Sequence, residues 1–268
     1  MMFRALATGV LVVVAVAATA ACRRAAKGGL TLAGSTSLQP FAERWADAYD
    51  ARRRGSHIHI QGGGSTAGIQ AAISGAAQIG MSSRALTRDE AVRVTGILVA
   101  RDGMVVVVHP TNPVNDLTLD QVRAVYAGEI RNWRQLGARD ASITVITREE
   151  GSGTRAVFEE LVMARHRILA AALVQDSTGA VRQMVASDPA AIGYVSLGLV
   201  DYSVKALKVG GVAPGEATID AGLYPLVRPF LFVVLPETGA IARDFIDWIT
   251  GPEGRDLTRR EGLLPPRA

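Results

Sequence analysis

Three short segments combine glycine with hydroxyl side chains: Gly34-Ser35-Thr36-Ser37, Gly62-Gly63-Gly64-Ser65-Thr66 and Arg148-Glu149-Glu150-Gly151-Ser152-Gly153-Thr154. Each sits where a strand pattern gives way to a helix pattern. A helix start leaves several backbone N–H groups unpaired and carries about half a positive charge. Glycine lets that backbone approach a ligand closely, and hydroxyls add donors without net charge. One such loop is an ordinary cap. Three in one chain, one of them with an arginine, imply a cradle for a small tetrahedral oxyanion.

The elements that must position these loops can be read from periodicity. Leu30-Thr31-Leu32-Ala33 is a short buried strand, followed by a helix with Pro40 in its first turn and Phe41, Trp45, Ala48 and Tyr49 at helical spacing. Ile58 and Ile60 alternate with His57, His59 and Gln61 in a half-buried strand, and residues 67–73 form the next helix. Gln78-Ile79-Gly80-Met81 is a third strand, ending at Ser82-Ser83-Arg84. Such repetition predicts an α/β sheet with ligands at the carboxyl ends of its strands. Beyond it, a helix at 119–126, a strand at 143–147, helices at 153–163 and 181–186, a strand at 192–195 and a helix at 241–250 are expected. Two long apolar runs, 97–109 and 230–235, read as crossover strands between two lobes. Lobe one then comprises residues 29–105 plus 228–268, and lobe two residues 106–227. Trp133 and Trp248 read as core anchors, and Asp244 and Asp247 as a solvated helix face.

Bulk properties narrow the function classes. A chain of 268 residues with 49% hydrophobic and 20% charged residues is globular and long enough for two lobes. The formal charge of +4 comes without a Lys/Arg block suited to nucleic acid, and Arg52-Arg53-Arg54 reads as a solvated helix end. Residues 1–21 form a signal peptide, with Arg4 ahead of an apolar run shorter than the roughly 20 residues a spanning helix needs. Small residues before Cys22 resemble a lipobox, so lipidation of Cys22 is expected, with residues 22–28 as a basic tether. Thr19 stands where that pattern favours an aliphatic residue, so ordinary cleavage leaving a free thiol stays open. Cys22 is the only cysteine, which excludes an intramolecular disulfide and any cysteine-based metal site. His57 and His59 share a strand face without a carboxylate partner nearby in sequence, so no metal and no cofactor are expected. The chain lacks Gly-x-x-x-x-Gly-Lys-Ser/Thr and Gly-x-Ser-x-Gly, and no histidine neighbours Ser152 in sequence, so it is not read as an enzyme.

At its loops the chain resembles the phosphate-binding component of bacterial phosphate ABC importers. The resemblance rests on residues 33–40 and 61–69, on Ile79-Gly80-Met81-Ser82-Ser83-Arg84 and on Gly128-Glu129-Ile130-Arg131-Asn132-Trp133. Residues 147–155 and Tyr224-Pro225-Leu226-Val227-Arg228-Pro229 complete it. It spans nearly the whole mature chain in order. It implies a two-lobed periplasmic-binding-protein fold of type II, each lobe a mixed sheet flanked by helices, with the crossover strands as hinge. It further implies inorganic phosphate in the cleft, an ABC permease as partner and an extracytoplasmic location.

Position by position, Arg148, Ser152, Gly153 and Thr154 match the family's anion loop. Thr36, Ser37 and Ser65 match its donors on lobe one, with Ser35 beside them. Arginine suits this role because its planar fork donates two parallel bonds to an oxyanion. Glu150 stands where the family has an acid that orients the arginine. One departure concerns selectivity. Many members end the third strand with an aspartate that accepts the proton of hydrogen phosphate and repels sulfate. Here Ser82, Ser83 and Arg84 stand instead; Ser83 can accept such a proton but cannot repel sulfate by charge. The alternatives are the same fold binding sulfate or molybdate, or acting as a phosphate sensor.

Overall fold

A computed structural model of the chain describes residues 29–53 and 57–267. The expected signal peptide, tether and lipidated Cys22 lie outside the described residues. The chain begins with β1 (Gly29–Gly34), α1 (Gln39–Arg52), β2 (His57–Gln61), α2 (Ser65–Ser74) and β3 (Ile79–Ser82). Strands β2, β1 and β3 are parallel neighbours, as strand–helix–strand connections require. A short helix, α3 (Arg88–Ala91), leads into the long strand β4 (Thr95–Val108).

The chain continues through β5 (Asp116–Leu117), α4 (Leu119–Ala127), β6 (Thr144–Arg148) and α5 (Gly153–Phe158). Next come β7 (Leu173–Gln175), α6 (Thr178–Ser187), β8 (Ala191–Ser196), β9 (Lys205–Ala206), β10 (Lys208–Val209) and α7 (Glu216–Asp220). It returns along β11 (Val227–Val234) and ends in α8 (Ala240–Thr250) and α9 (Pro252–Arg260). The main sheet runs β2-β1-β3-β11-β4-β8-β6-β7, with β9 also on β4.

The two apolar runs singled out in the sequence are β4 and β11, antiparallel neighbours at the centre of this sheet. Strand β4 pairs with β11 from Thr95 to Gly103, then passes its hydrogen bonds to β8 from Met104 to Val108. Pro229 on β11 brings no N–H to its register partner Arg101. The Arg101 backbone bonds Leu264 instead.

Two principal cores flank the sheet. One packs Phe41, Trp45, Tyr49, Phe232 and Phe245 beneath β1, β3 and β11. The other packs Tyr126, Trp133, Phe158 and Tyr194 beside β4 and β8. Trp133 is buried as expected, while Trp248 only borders its core and donates its indole N–H to Glu253 at 3.0 Å. The helix expected over 153–163 is α-helical only to Phe158 and continues as a wider π-turn, Glu159–Met163. In that stretch the Val162 carbonyl accepts from Arg123 Nε at 2.7 Å.

Main-chain proximity places the first two glycine loops. A Cβ added at Gly68, on α2, would lie 2.4 Å from the Ala33 carbonyl oxygen and 2.6 Å from Gly34 Cα. A Cβ on Gly80 would lie 2.5 Å from the Gly68 oxygen. Helix α2 thus rests on β1 and β3 at backbone contact, and Gly64 N donates to Gly34 O at 2.9 Å. Overpacking of this kind costs about 1–3 kcal/mol. Gly68→Ala is therefore expected to lower the melting temperature, by about 2–4 °C for each kcal/mol in a protein of this size. A thermal melt matching the wild type would show that the helix can retreat freely.

Candidate anion-binding site

Four segments bring their polar groups to the same side of the sheet. After β1, Ser35 N is held by the Met81 carbonyl at 2.9 Å, and the turn Ser35–Leu38 leads into α1. After β2, Gly64 adopts φ +87° and Ser65 opens α2. After β3, the Ser83 amide donates to Ser65 Oγ at 3.0 Å, and the two hydroxyl oxygens are 3.3 Å apart. After β6, Ser152 caps α5, its Oγ accepting from Arg155 N at 3.3 Å.

The anion loop expected at 148–154 faces the other three. Arg148 Nη2 donates to Thr36 Oγ1 at 2.9 Å, and Thr154 Oγ1 lies 2.9 Å from Ser37 Oγ. Ser37 Oγ is in turn 3.2 Å from Ser35 Oγ. The Thr66 amide donates to Gly151 O at 3.1 Å. Gly153 packs so closely that an added Cβ would lie 2.2 Å from Ser65 Oγ and 2.7 Å from Ser83 Oγ. The structure thus gathers Ser35, Thr36, Ser37, Ser65, Ser83, Arg148, Ser152, Gly153 and Thr154 into one cluster, all of them buried except the half-buried Thr36.

The Arg148 guanidinium is almost wholly buried, so each of its donors needs an acceptor. Nε and Nη2 form a paired contact with the Glu149 carboxylate at 2.8 and 2.9 Å. Nη1 donates to Thr178 Oγ1 at 3.0 Å, and the Gln175 and Asp176 carbonyls accept at 3.2 Å each. Tyr194 supports the same strand end, its hydroxyl accepting from Arg148 N at 3.2 Å and meeting Thr147 Oγ1 at 2.7 Å. Burial pushes the Tyr194 phenol up to about 12.

This geometry corrects the expectation for Glu150. The carboxylate beside Arg148 is Glu149, and Glu150 is exposed to solvent. The chain leaves the strand at Arg148, so adjacent side chains there no longer alternate between faces as strand residues do. Ser82 bonds locally, its Oγ donating to the Arg84 carbonyl at 2.9 Å. Arg84 spends both Nη groups on Glu90 at 2.8 Å each, and that contact holds the Glu90 carboxyl down at about 2. His57 and His59 lie exposed on β2, away from the cluster.

Two site residues escaped the sequence reading. Arg228 and Asp102 face each other in register across β11 and β4, both fully buried. Arg228 Nε donates to Asp102 Oδ2 at 2.9 Å, and Nη1 donates to Thr154 Oγ1 at 2.6 Å. Asp102 Oδ1 accepts from Ser196 Oγ at 2.7 Å and Leu197 N at 3.3 Å. Burial pushes the Asp102 carboxyl up and the Arg228 guanidinium down, and each charge works against the shift of the other. The available signal was a pair of opposite charges, each interrupting a long apolar segment. Both guanidinium groups therefore carry their own carboxylate, and what the cluster offers a guest is a dense set of donors with little net charge.

The chain has relatives among known proteins. A family model described as a PBP superfamily domain matches residues 18–253. The phosphate-binding protein PstS of Bacillus subtilis is 30% identical over 245 residues, which cover 90% of this chain and 81% of that protein. A substrate-binding protein assigned to phosphate ABC transport in Clostridium perfringens, solved with bound phosphate, superposes with a TM-score of 0.87 at 37% identity. That match covers 90% of this chain and 100% of the other. An ABC-type phosphate transport receptor from Vibrio cholerae superposes at 0.73 with 35% identity, covering 88% of this chain and 100% of the other. By sequence and fold, the chain belongs to the PBP superfamily and, within it, to the PstS family of phosphate-binding proteins.

Proposed function

We propose that this chain is an extracytoplasmic substrate-binding protein that captures inorganic phosphate and delivers it to an ABC permease. The observation that carries this reading is the approach of the Arg148 loop to the hydroxyls after β1 and β2, with Arg148 touching Thr36 and Thr154 touching Ser37. A dehydrated anion loses its water shell, and that cost is offset only by many charge-assisted and dipolar bonds. Buried serine and threonine hydroxyls, helix-start amides and a fixed guanidinium supply them.

Capture proceeds by closure of two lobes, residues 29–105 plus 228–268 against residues 106–227, about β4 and β11. Support comes from the handover of β4 from β11 to β8 between Gly103 and Met104, which leaves one strand continuous through both halves. Thr36, Ser37, Ser65 and Ser83 then approach from one lobe, and Arg148, Ser152, Gly153 and Thr154 from the other. Lipid on Cys22 would hold the protein at the membrane beside its permease. Selectivity rests on hydrogen bonding, because the position after β3 that could repel sulfate by charge is held by Ser83.

Calorimetry on the chain lacking residues 1–21 is expected to show tight phosphate binding without phosphatase turnover. Sulfate or molybdate binding much more tightly at matched ionic strength would overturn the phosphate assignment. Arg148→Ala is expected to weaken phosphate binding at least tenfold, about 1.4 kcal/mol, and unchanged affinity would remove Arg148 from the site. Mass spectrometry of the membrane fraction should find diacylglycerol on Cys22, and Cys22→Ala should release the protein in soluble form. Equal membrane retention of that variant would exclude the anchor.

A further inference from the structure

We propose that Arg228 is a positioning residue of the anion site, acting through the hydroxyl of Thr154 and held in place by Asp102. The proposal deepens the phosphate-binding reading and rests on it.

A hydroxyl has one hydrogen to give, and its oxygen can accept from a donor on another side. Arg228 carries only donors, so at 2.6 Å its Nη1 must be donating to Thr154 Oγ1. The Thr154 proton is thereby turned away from Arg228. The oxygen atom next to Thr154 Oγ1 on the site side is Ser37 Oγ, at 2.9 Å. A guanidinium behind Thr154 thus leaves that hydroxyl's proton available on the side away from Arg228, where Ser37 and the cluster lie. Arg148 does the same to Thr36, donating to its Oγ1 at 2.9 Å. With one lone pair of each oxygen taken by a guanidinium, both hydroxyls keep their protons for other acceptors, which suits a guest that presents acceptor oxygens.

Asp102 makes this arrangement possible. A second guanidinium close to Arg148 meets like-charge repulsion, which acts on Arg228 in this structure. Asp102 cancels that charge from the opposite strand, and its remaining oxygen is held by Ser196 and Leu197. The pair joins β4 and β11 in register at the point where β4 changes partner. Thr154 is thus tied directly to the central strands of the sheet.

A thermodynamic cycle tests the coupling. Arg228→Lys keeps a cation opposite Asp102, but a single ammonium cannot reproduce the fork that spans Asp102 and Thr154. Phosphate affinity is measured by calorimetry for the wild type, Arg228→Lys, Thr154→Val and the double variant, with thermal melts recorded for each. Arg228→Lys is expected to weaken binding at least tenfold in the wild-type background and less than threefold once Thr154 is Val. Thr154→Ser, which keeps the hydroxyl, should restore both the affinity and its dependence on Arg228. An equal loss in both backgrounds, or no loss in the wild type, overturns the proposal. Should Arg228→Lys not fold, Asp102→Asn/Arg228→Met removes both buried charges and enters the same cycle under the same criteria. A wild type that binds no phosphate refutes the phosphate reading itself, a result distinct from additivity within the cycle.

Discussion

The buried guanidinium of Arg148 is the constraint around which this structure is arranged. A charge removed from water must be paired and its donors satisfied, or it costs several kcal/mol. Meeting that demand draws in Glu149 from the next position, the Gln175 and Asp176 carbonyls at the end of β7, Thr178 at the start of α6 and Thr36 from beyond β1. The pairing of β6 with β7 and the opening of α6 therefore belong to the site as much as the glycine loops do. The contact with Thr36, more than a hundred positions away in the chain, is where this local requirement becomes a tertiary one.

The way positive charge is handled explains how the cluster can serve an anion without becoming a general cation-rich patch. Arg148 is matched by Glu149 and Arg228 by Asp102. With the charges balanced in pairs, the cluster presents directed hydrogen-bonding groups in place of an excess of positive charge. Hydroxyl groups on Thr36, Ser37, Ser65, Ser83 and Thr154 are suited to this, because each can be set as donor or acceptor by its neighbour. The family assignment and the geometry meet at this point: the segments that resemble phosphate-binding proteins are the ones that supply these hydroxyls.

Much of this was legible in the sequence. Local signals survive as local structure: glycine and hydroxyl residues at strand ends, Pro40 in a first helical turn, and the apolar spacing of Phe41, Trp45 and Tyr49 all correspond to elements at the expected places. What stayed hidden depends on pairing between distant segments. The strands of two or three residues, such as β7 and β9, exist because a neighbouring strand offers hydrogen bonds, and no periodicity can build up over so few positions. Glu149 and Glu150 are chemically alike, and only the path of the chain after β6 decides which carboxylate turns towards Arg148. Asp102 and Arg228 are separated by more than a hundred positions, and their partnership becomes visible only once β4 and β11 are aligned.

The glycines at positions 34, 68 and 80 carry a consequence for the wall of the site that they build. Here the spacing between β1, β3 and α2 is set by main-chain atoms in van der Waals contact, with no side chain between them to act as a compressible spacer. A wall of that kind cannot breathe by rotamer exchange, and repacking of the aromatic residues beneath it leaves its inner dimensions unchanged. The serines it carries are thus held as on a rigid template, while whatever adaptation a guest requires is left to the opposite, side-chain-built wall around Arg148.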